Sequence, residues 1–207
     1  MVFEEKKKVF FIILIILIIG FFSGCLNLSC ANVDTSVVCN GWFENTALRN
    51  TGIQFLGLEK WCSLTYEISG KYPAFLTITT LKSLVLADEK EVLKKTKVTI
   101  QETFQDNIEL TENSSGERLL KNNHKTLYTL FDGFDVYKKA DVKIICEIWN
   151  CADSGNSVIC IGIAYITNKD ISDEFYFENW EKIVQDTTGT IDGYNGNMGL
   201  IYNVKCH

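Results

Sequence analysis

The chain has 207 residues, 46% of them apolar and 22% charged, with a single proline and a formal net charge of −6. That is room for one substantial domain plus a tail, and the balance is that of a globular protein rather than a collagen-like, low-complexity or disordered one. The acidic charge argues against nucleic acid as a partner, which would call for a clustered basic face.

At the start of the chain Lys6, Lys7 and Lys8 precede an unbroken apolar run from Val9 to Phe22. A basic segment leading into an apolar one of this length is the pattern of a secretion signal, whereas a full bilayer span needs about 20 apolar residues. The run ends in Phe22-Ser23-Gly24-Cys25, small residues set just before a cysteine. On these residues the segment 1–25 resembles a prokaryotic lipoprotein signal, with Phe22 standing where an aliphatic residue is usual. The resemblance implies cleavage before Cys25 and lipid on its thiol. The alternative is that residues 1–24 persist as an uncleaved apolar anchor helix. In both cases the three lysines stay inside, so the expected location is the cell membrane with the remainder facing outside the cytoplasm. Losing residues 1–24 removes three lysines and two glutamates, so the exported part is the more acidic and no polybasic lipid contact is expected. Stable attachment needs two acyl chains, which a diacylated Cys25 would supply.

Residues 25–60 lack a sustained period and read as a tether and lead-in, with Trp42, Phe43, Phe55 and Leu56 packing its later part onto a single domain over 61–207. Asn27-Leu28-Ser29 and Asn113-Ser114-Ser115 are candidate glycosylation triplets. From Trp61, Leu64, Tyr66 and Ile68 alternate with polar residues, and Phe75 to Thr79 follows the Gly70 and Pro73 breakers, which predicts two strands. Asp88 can cap a helix over 88–104 whose stripe is Val92, Thr96, Ile100 and Phe104. Short runs at 108–112, 118–120 and 126–131, broken by Asn113-Ser114-Ser115-Gly116 and by Asn122-Asn123, predict a β-meander with polar turns. Residues 136–149 and 157–166 form a long hairpin around Asp153 to Asn156. A helix over Ser172 to Gln185, with Phe175, Trp180, Ile183 and Val184 on one stripe, and a last strand over Leu200 to Val204 complete the chain.

This order describes an α+β domain, a mainly antiparallel β-sheet with helices packed on it. Over residues 62–190 it resembles the PsbP-like fold: a helix ahead of the meander, a turn-then-Tyr strand at Asn122 to Tyr128, a long hairpin and a closing helix with Trp180. Tyr72-Pro73 has no nearby tryptophan, so no residue signature accompanies the order of elements. The resemblance implies an α/β/α sandwich and an extrinsic binding or assembly role.

Setting Cys25 aside, cysteines stand at 30, 39, 62, 146, 151, 160 and 206. Outside the cytoplasm such a density reads as a disulfide framework, with three bridges and one unbridged thiol the simplest count. Cys146 and Cys160 lie on the two arms of the hairpin. A turn centred on Asp153 sets them opposite each other, whereas a two-residue turn at Ser154-Gly155 sets Cys146 opposite Ile163. Cys151 competes for either, or reaches to Cys206 or Cys62. No cysteine pair has zinc-knuckle spacing, Cys206-His207 is a poor rigid ligand at a chain end, and His124 reads as a turn histidine, so neither a metal nor a cofactor is expected.

Catalytic motifs are equally sparse: Gly-x-Ser-x-Gly, His-Glu-x-x-His and phosphate-loop patterns are absent. Two acidic clusters, Asp170 with Asp173 and Glu174, and Asp186 with Asp192 and the loop 193–197, read as a helix start and a turn. The expected function is a lipid-anchored binding or assembly protein for an unknown protein partner or small ligand. The alternatives are a surface hydrolase and a structural envelope protein. A pocket lined by two or more of Asp132, Asp135, Asp170, Asp186 and Asp192 would favour the hydrolase.

Overall fold

The computed structural model describes residues 28–54, 59–83, 85–166, 174–192 and 199–206, with the backbone alone for 174–177. In chain order the elements are β1 (Asn32–Val33), β2 (Phe43–Glu44), β3 (Asn50–Gln54), β4 (Glu59–Ile68), β5 (Ala74–Ser83), α1 (Glu89–Phe104), β6 (Ile108–Leu119), β7 (Lys125–Asp135), β8 (Ala140–Cys151), β9 (Asn156–Ile166), α2 (Glu174–Val184) and β10 (Val204–Lys205). The class is α+β. Strands β2 to β9 make one antiparallel sheet ordered β2-β4-β5-β9-β8-β7-β6, and β3 continues beside β2 along the outer edge of β4. β1 pairs with β10. Among the described residues no helix is long and apolar enough to cross a membrane. The expected lipidation site Cys25, the triplet at Asn27 and the anchor helix lie outside them.

The alternation in β4 and β5 puts Leu64, Tyr66, Leu76 and Ile78 on one buried face. Central β8 is covered on both sides, so Ile144, Ile145, Cys146, Ile148 and Trp149 are all buried, and its sequence is a run rather than an alternation. One cluster joins Val142, Ile144 and Cys146 to Ile100, Leu93 and Phe104 of α1, while the other joins Ile145, Trp149 and Cys160 to Trp180, Ile183 and Val184 of α2. α1 begins where its cap dictates: the Asp88 carboxylate accepts from the Glu91 N–H at 2.9 Å, and Glu89 and Glu91 lie in the positive first turn. The α2 stripe can settle against β9 because Gly162 has no Cβ, which would stand 2.5 Å from Ile183 Cγ2.

Four features depart from the expectations. The lead-in packs from its beginning and not only in its later part: Ala31 and Val33 are core residues as well as the expected Trp42, Phe43 is exposed, Phe55 and Leu56 lie outside the described residues, and short strands too brief to leave a period line the sheet edge. Asn113 to Gly116 is not a turn but the middle of β6, which carries a bulge between Glu112 and Ser114. An edge strand tolerates turn-forming polar residues, and the bulge and its charges discourage further pairing. The last strand starts late, after a short helical turn over Ile201–Asn203. Finally, the hairpin closes with a four-residue loop over 152–155, which pairs Cys151 with Asn156 and Cys146 with Ile161. That register falls one residue from the one that sets Cys146 opposite Cys160, so the two thiols point to opposite faces and no bridge between them forms.

Candidate functional site

A recess of about 640 Å³ opens between the 39–42 turn, the β4–β5 turn and the outer side of α2. Asn40 and Gly41 turn the chain through positive φ (57° and 87°), which presents Cys39 at the mouth and folds Trp42 back as an apolar wall. α2 buries Trp180, Ile183 and Val184 and so offers Glu178, Asn179 and Lys182 to the recess. The Asn179 amide donates to the Tyr72 carbonyl at 3.5 Å, joining helix to turn, and the Lys182 ammonium points at the Cys39 sulfur at 3.8 Å.

Gln185, immediately after α2, also lines the recess. Its residue is 1% exposed, yet neither its amide nitrogen nor its amide oxygen has a hydrogen-bond partner. A buried carboxamide left unmatched costs roughly 1–3 kcal/mol.

Gln185 is held on both sides by a buried ionic network. Arg118 of β6 donates two hydrogen bonds to the Glu147 carboxylate of β8 (2.9 and 2.5 Å), one to the Val184 carbonyl and one to Asp186 at 3.4 Å. Thr126 donates to Glu147 at 2.6 Å. Burial lowers the Arg118 pKa, but the Glu147 and Asp186 carboxylates more than offset this and leave it raised. Burial likewise pushes Asp186 up, and the hydrogen bonds from Thr188 and Thr190 together with Arg118 outweigh it, leaving the carboxyl below its usual range. The network thus clamps the backbone one residue before and one after Gln185.

The cysteines divide into three kinds. Cys30–Cys62 and Cys151–Cys206 are disulfides, so the described residues hold two bridges where three were the simplest count. Cys146 and Cys160 are buried thiols. Burial first, then the nearby Glu147 charge, pushes Cys146 up to about 12 and Cys160 well above its ordinary value. Cys39 is exposed and unbridged. In the folded, oxidised protein, maleimide is therefore expected to modify Cys39 alone among the described cysteines, with Cys146 and Cys160 reacting only after denaturation. Peptide mapping of the labelled protein checks this, and rapid native labelling of Cys160 would contradict the packing.

Of the five acids that would favour a hydrolase, Asp170 lies outside the described residues and none of the others lines the recess. Asp132 and Asp192 pair with Lys143 at 3.3 and 3.6 Å, and Asp192 also accepts from the Trp180 indole. Asp135 accepts from the Tyr165 hydroxyl at 3.1 Å, and Asp186 belongs to the Arg118 network. Asp173 of the first acidic cluster is outside the described residues, as is the 193–197 loop of the second. Asn113 is exposed at its bulge and its amide donates to Asp132. One constellation invisible in linear spacing is close-packed: His124 stands beside both sulfurs of Cys151–Cys206. Compared with known proteins, the chain matches no family model, no curated protein and no solved structure.

Proposed function

We propose that the chain is a lipid-anchored binding protein, held to the cell membrane through Cys25 and facing outside the cytoplasm, whose recess beside α2 takes a small polar ligand. The observation that carries the binding role is the unmatched Gln185 amide on the recess wall. A carboxamide offers one donor edge and one acceptor edge, which complements an amide, a urea or a protonated carboxylic acid. Glu178 and Lys182 put both signs of charge nearby and Trp42 an apolar surface, a set suited to a neutral or zwitterionic molecule. Two disulfides agree with an oxidising location. The order of helix, meander, long hairpin and tryptophan-bearing helix supports a PsbP-like arrangement, a group in which binding and assembly predominate.

Gln185→Leu tests the reading because it keeps the volume and removes the unmatched amide. The variant is expected to be more stable than wild type by about 1–3 kcal/mol, since an unsatisfied buried group is gone, and to bind less. In a thermal-shift screen of small amides, ureas and amino acids, some compounds should stabilise wild type and lose that effect with Gln185→Leu. Equal shifts in both proteins, or none in wild type, would count against the recess.

A further inference from the structure

We propose that His124, Cys151 and Cys206 form a second site, independent of the recess: when their disulfide is reduced, they bind a thiophilic divalent cation such as zinc. The three donors come from the β6–β7 turn, the end of β8 and the residue after β10. His124 Nε2 lies 3.2 Å from the Cys206 sulfur and 3.6 Å from the Cys151 sulfur, and all three donor atoms lie within 4.8 Å of one another. Tetrahedral zinc with bonds of about 2.3 Å to sulfur and about 2.05 Å to nitrogen sets nitrogen and sulfur about 3.6 Å apart and the two sulfurs about 3.8 Å apart. The imidazole therefore already stands at ligand range from both sulfurs. Only the sulfurs must separate, by roughly 1.7 Å beyond a disulfide bond, with Cα atoms 6.5 Å apart to allow it.

A structural disulfide needs no imidazole against it, and His124 is held there by contacts that do not involve the bond. The Leu120 N–H donates to the His124 carbonyl at 3.0 Å, and the His124 N–H donates to the Asn122 side chain at 3.3 Å. The turn is tied in turn to the C-terminal segment by Lys121 N–H to the Tyr202 carbonyl and by the Asn122 amide to the Val204 carbonyl, both 3.2 Å. Breaking the disulfide thus leaves His124 and Cys206 facing each other.

The chemistry balances with a dithiol as reductant. It gives two electrons and two protons to the Cys151–Cys206 bond and leaves as its own disulfide. The two thiols formed then lose their protons as the cation binds, so two thiolates neutralise a divalent charge in a buried place and neutral imidazole supplies the third ligand. Among the described residues these three side chains make up the cluster. Two sulfurs and a nitrogen select zinc-like ions over calcium or magnesium.

The full chain in detergent, reduced with a phosphine and titrated with Co²⁺ as a visible probe, tests the site. Reduced wild type is expected to take up one equivalent with the intense visible bands of tetrahedral thiolate cobalt, which zinc then bleaches, and the oxidised protein is expected to give none. His124→Ala should weaken uptake at least about tenfold, the loss that even a ligand's supporting partner commonly causes, and Cys206→Ser should abolish the bands. No uptake by reduced wild type, or unchanged bands in both variants, would overturn the proposal by assigning the metal to no site or to other thiols. If reduction unfolds the chain, zinc should restore its near-ultraviolet circular dichroism in wild type and not in Cys206→Ser, and failure to restore it would equally overturn the proposal.

Discussion

Replacing Arg118 by methionine is expected to lower the unfolding free energy by about 3–5 kcal/mol, the usual cost of removing one partner from a buried pair. For a domain of this size that is a fall in Tm of roughly 6–20 °C. The reason is what stays behind: Glu147 is fully buried and Asp186 nearly so, and without the guanidinium both carboxylates remain in the interior unneutralised. The Val184 carbonyl at the end of α2 also loses its donor. Adding Glu147→Met should recover much of the loss, because two apolar side chains of similar volume replace a pair whose desolvation nearly offsets its attraction. Urea unfolding of the two single variants and the double variant measures the coupling, and strictly additive losses would show that the pair is not coupled. The same network sets an acid limit. Asp186 has a lowered pKa when folded, so its contribution is complete above the unfolded value of about 4 and is lost as pH falls through the lower folded value. Asp186→Asn should flatten that part of the profile.

Opening Cys151–Cys206 in metal-free buffer is expected to be nearly as costly. The bridge spans 55 residues, for which the chain-entropy model gives about 4 kcal/mol, against slightly less for the 32 residues of Cys30–Cys62. Its loss should be felt first at the C-terminus, where β10 pairs with β1 over only two residues and the remaining ties to the β6–β7 turn are single hydrogen bonds. Hydrogen exchange of Cys151→Ala/Cys206→Ala should therefore show early opening over 199–206, while β8 and β9 remain protected. Uniform loss of protection across the sheet would contradict a local clasp.

How much of this was legible in the sequence depended on whether the signal was local. The α1 helix was readable because its start is a local event: one carboxylate at Asp88 meets the Glu91 N–H, and the stripe down to Phe104 repeats every turn. The existence of the β8–β9 hairpin was readable from two apolar runs, but its register was not. A change of one residue in the loop reverses which face Cys146 and Cys160 occupy, and a polar loop of Asp, Ser, Gly and Asn accommodates several lengths. The sequence reads β6 as two pieces because Asn-Ser-Ser-Gly has turn chemistry, which an exposed edge strand tolerates. The recess was unreadable because its members come from three separated segments. Its one local trace is Gln185, a polar residue closing the apolar pair Ile183-Val184. His124 reads from the sequence as a turn histidine, and it does sit in a turn. Only the fold brings Cys151 and Cys206 to it.

The proposed export, anchoring at Cys25 and oxidation outside the cytoplasm are all read out by the intact mass of the chain purified from its native membrane without reductant. The expected species begins at Cys25, carries added acyl-glyceryl mass on that residue, and lacks the thiol hydrogens of the four bridged cysteines. A species with the mass of the full 207 residues, no lipid and every cysteine alkylatable after denaturation would rule out the proposed anchor and bridges.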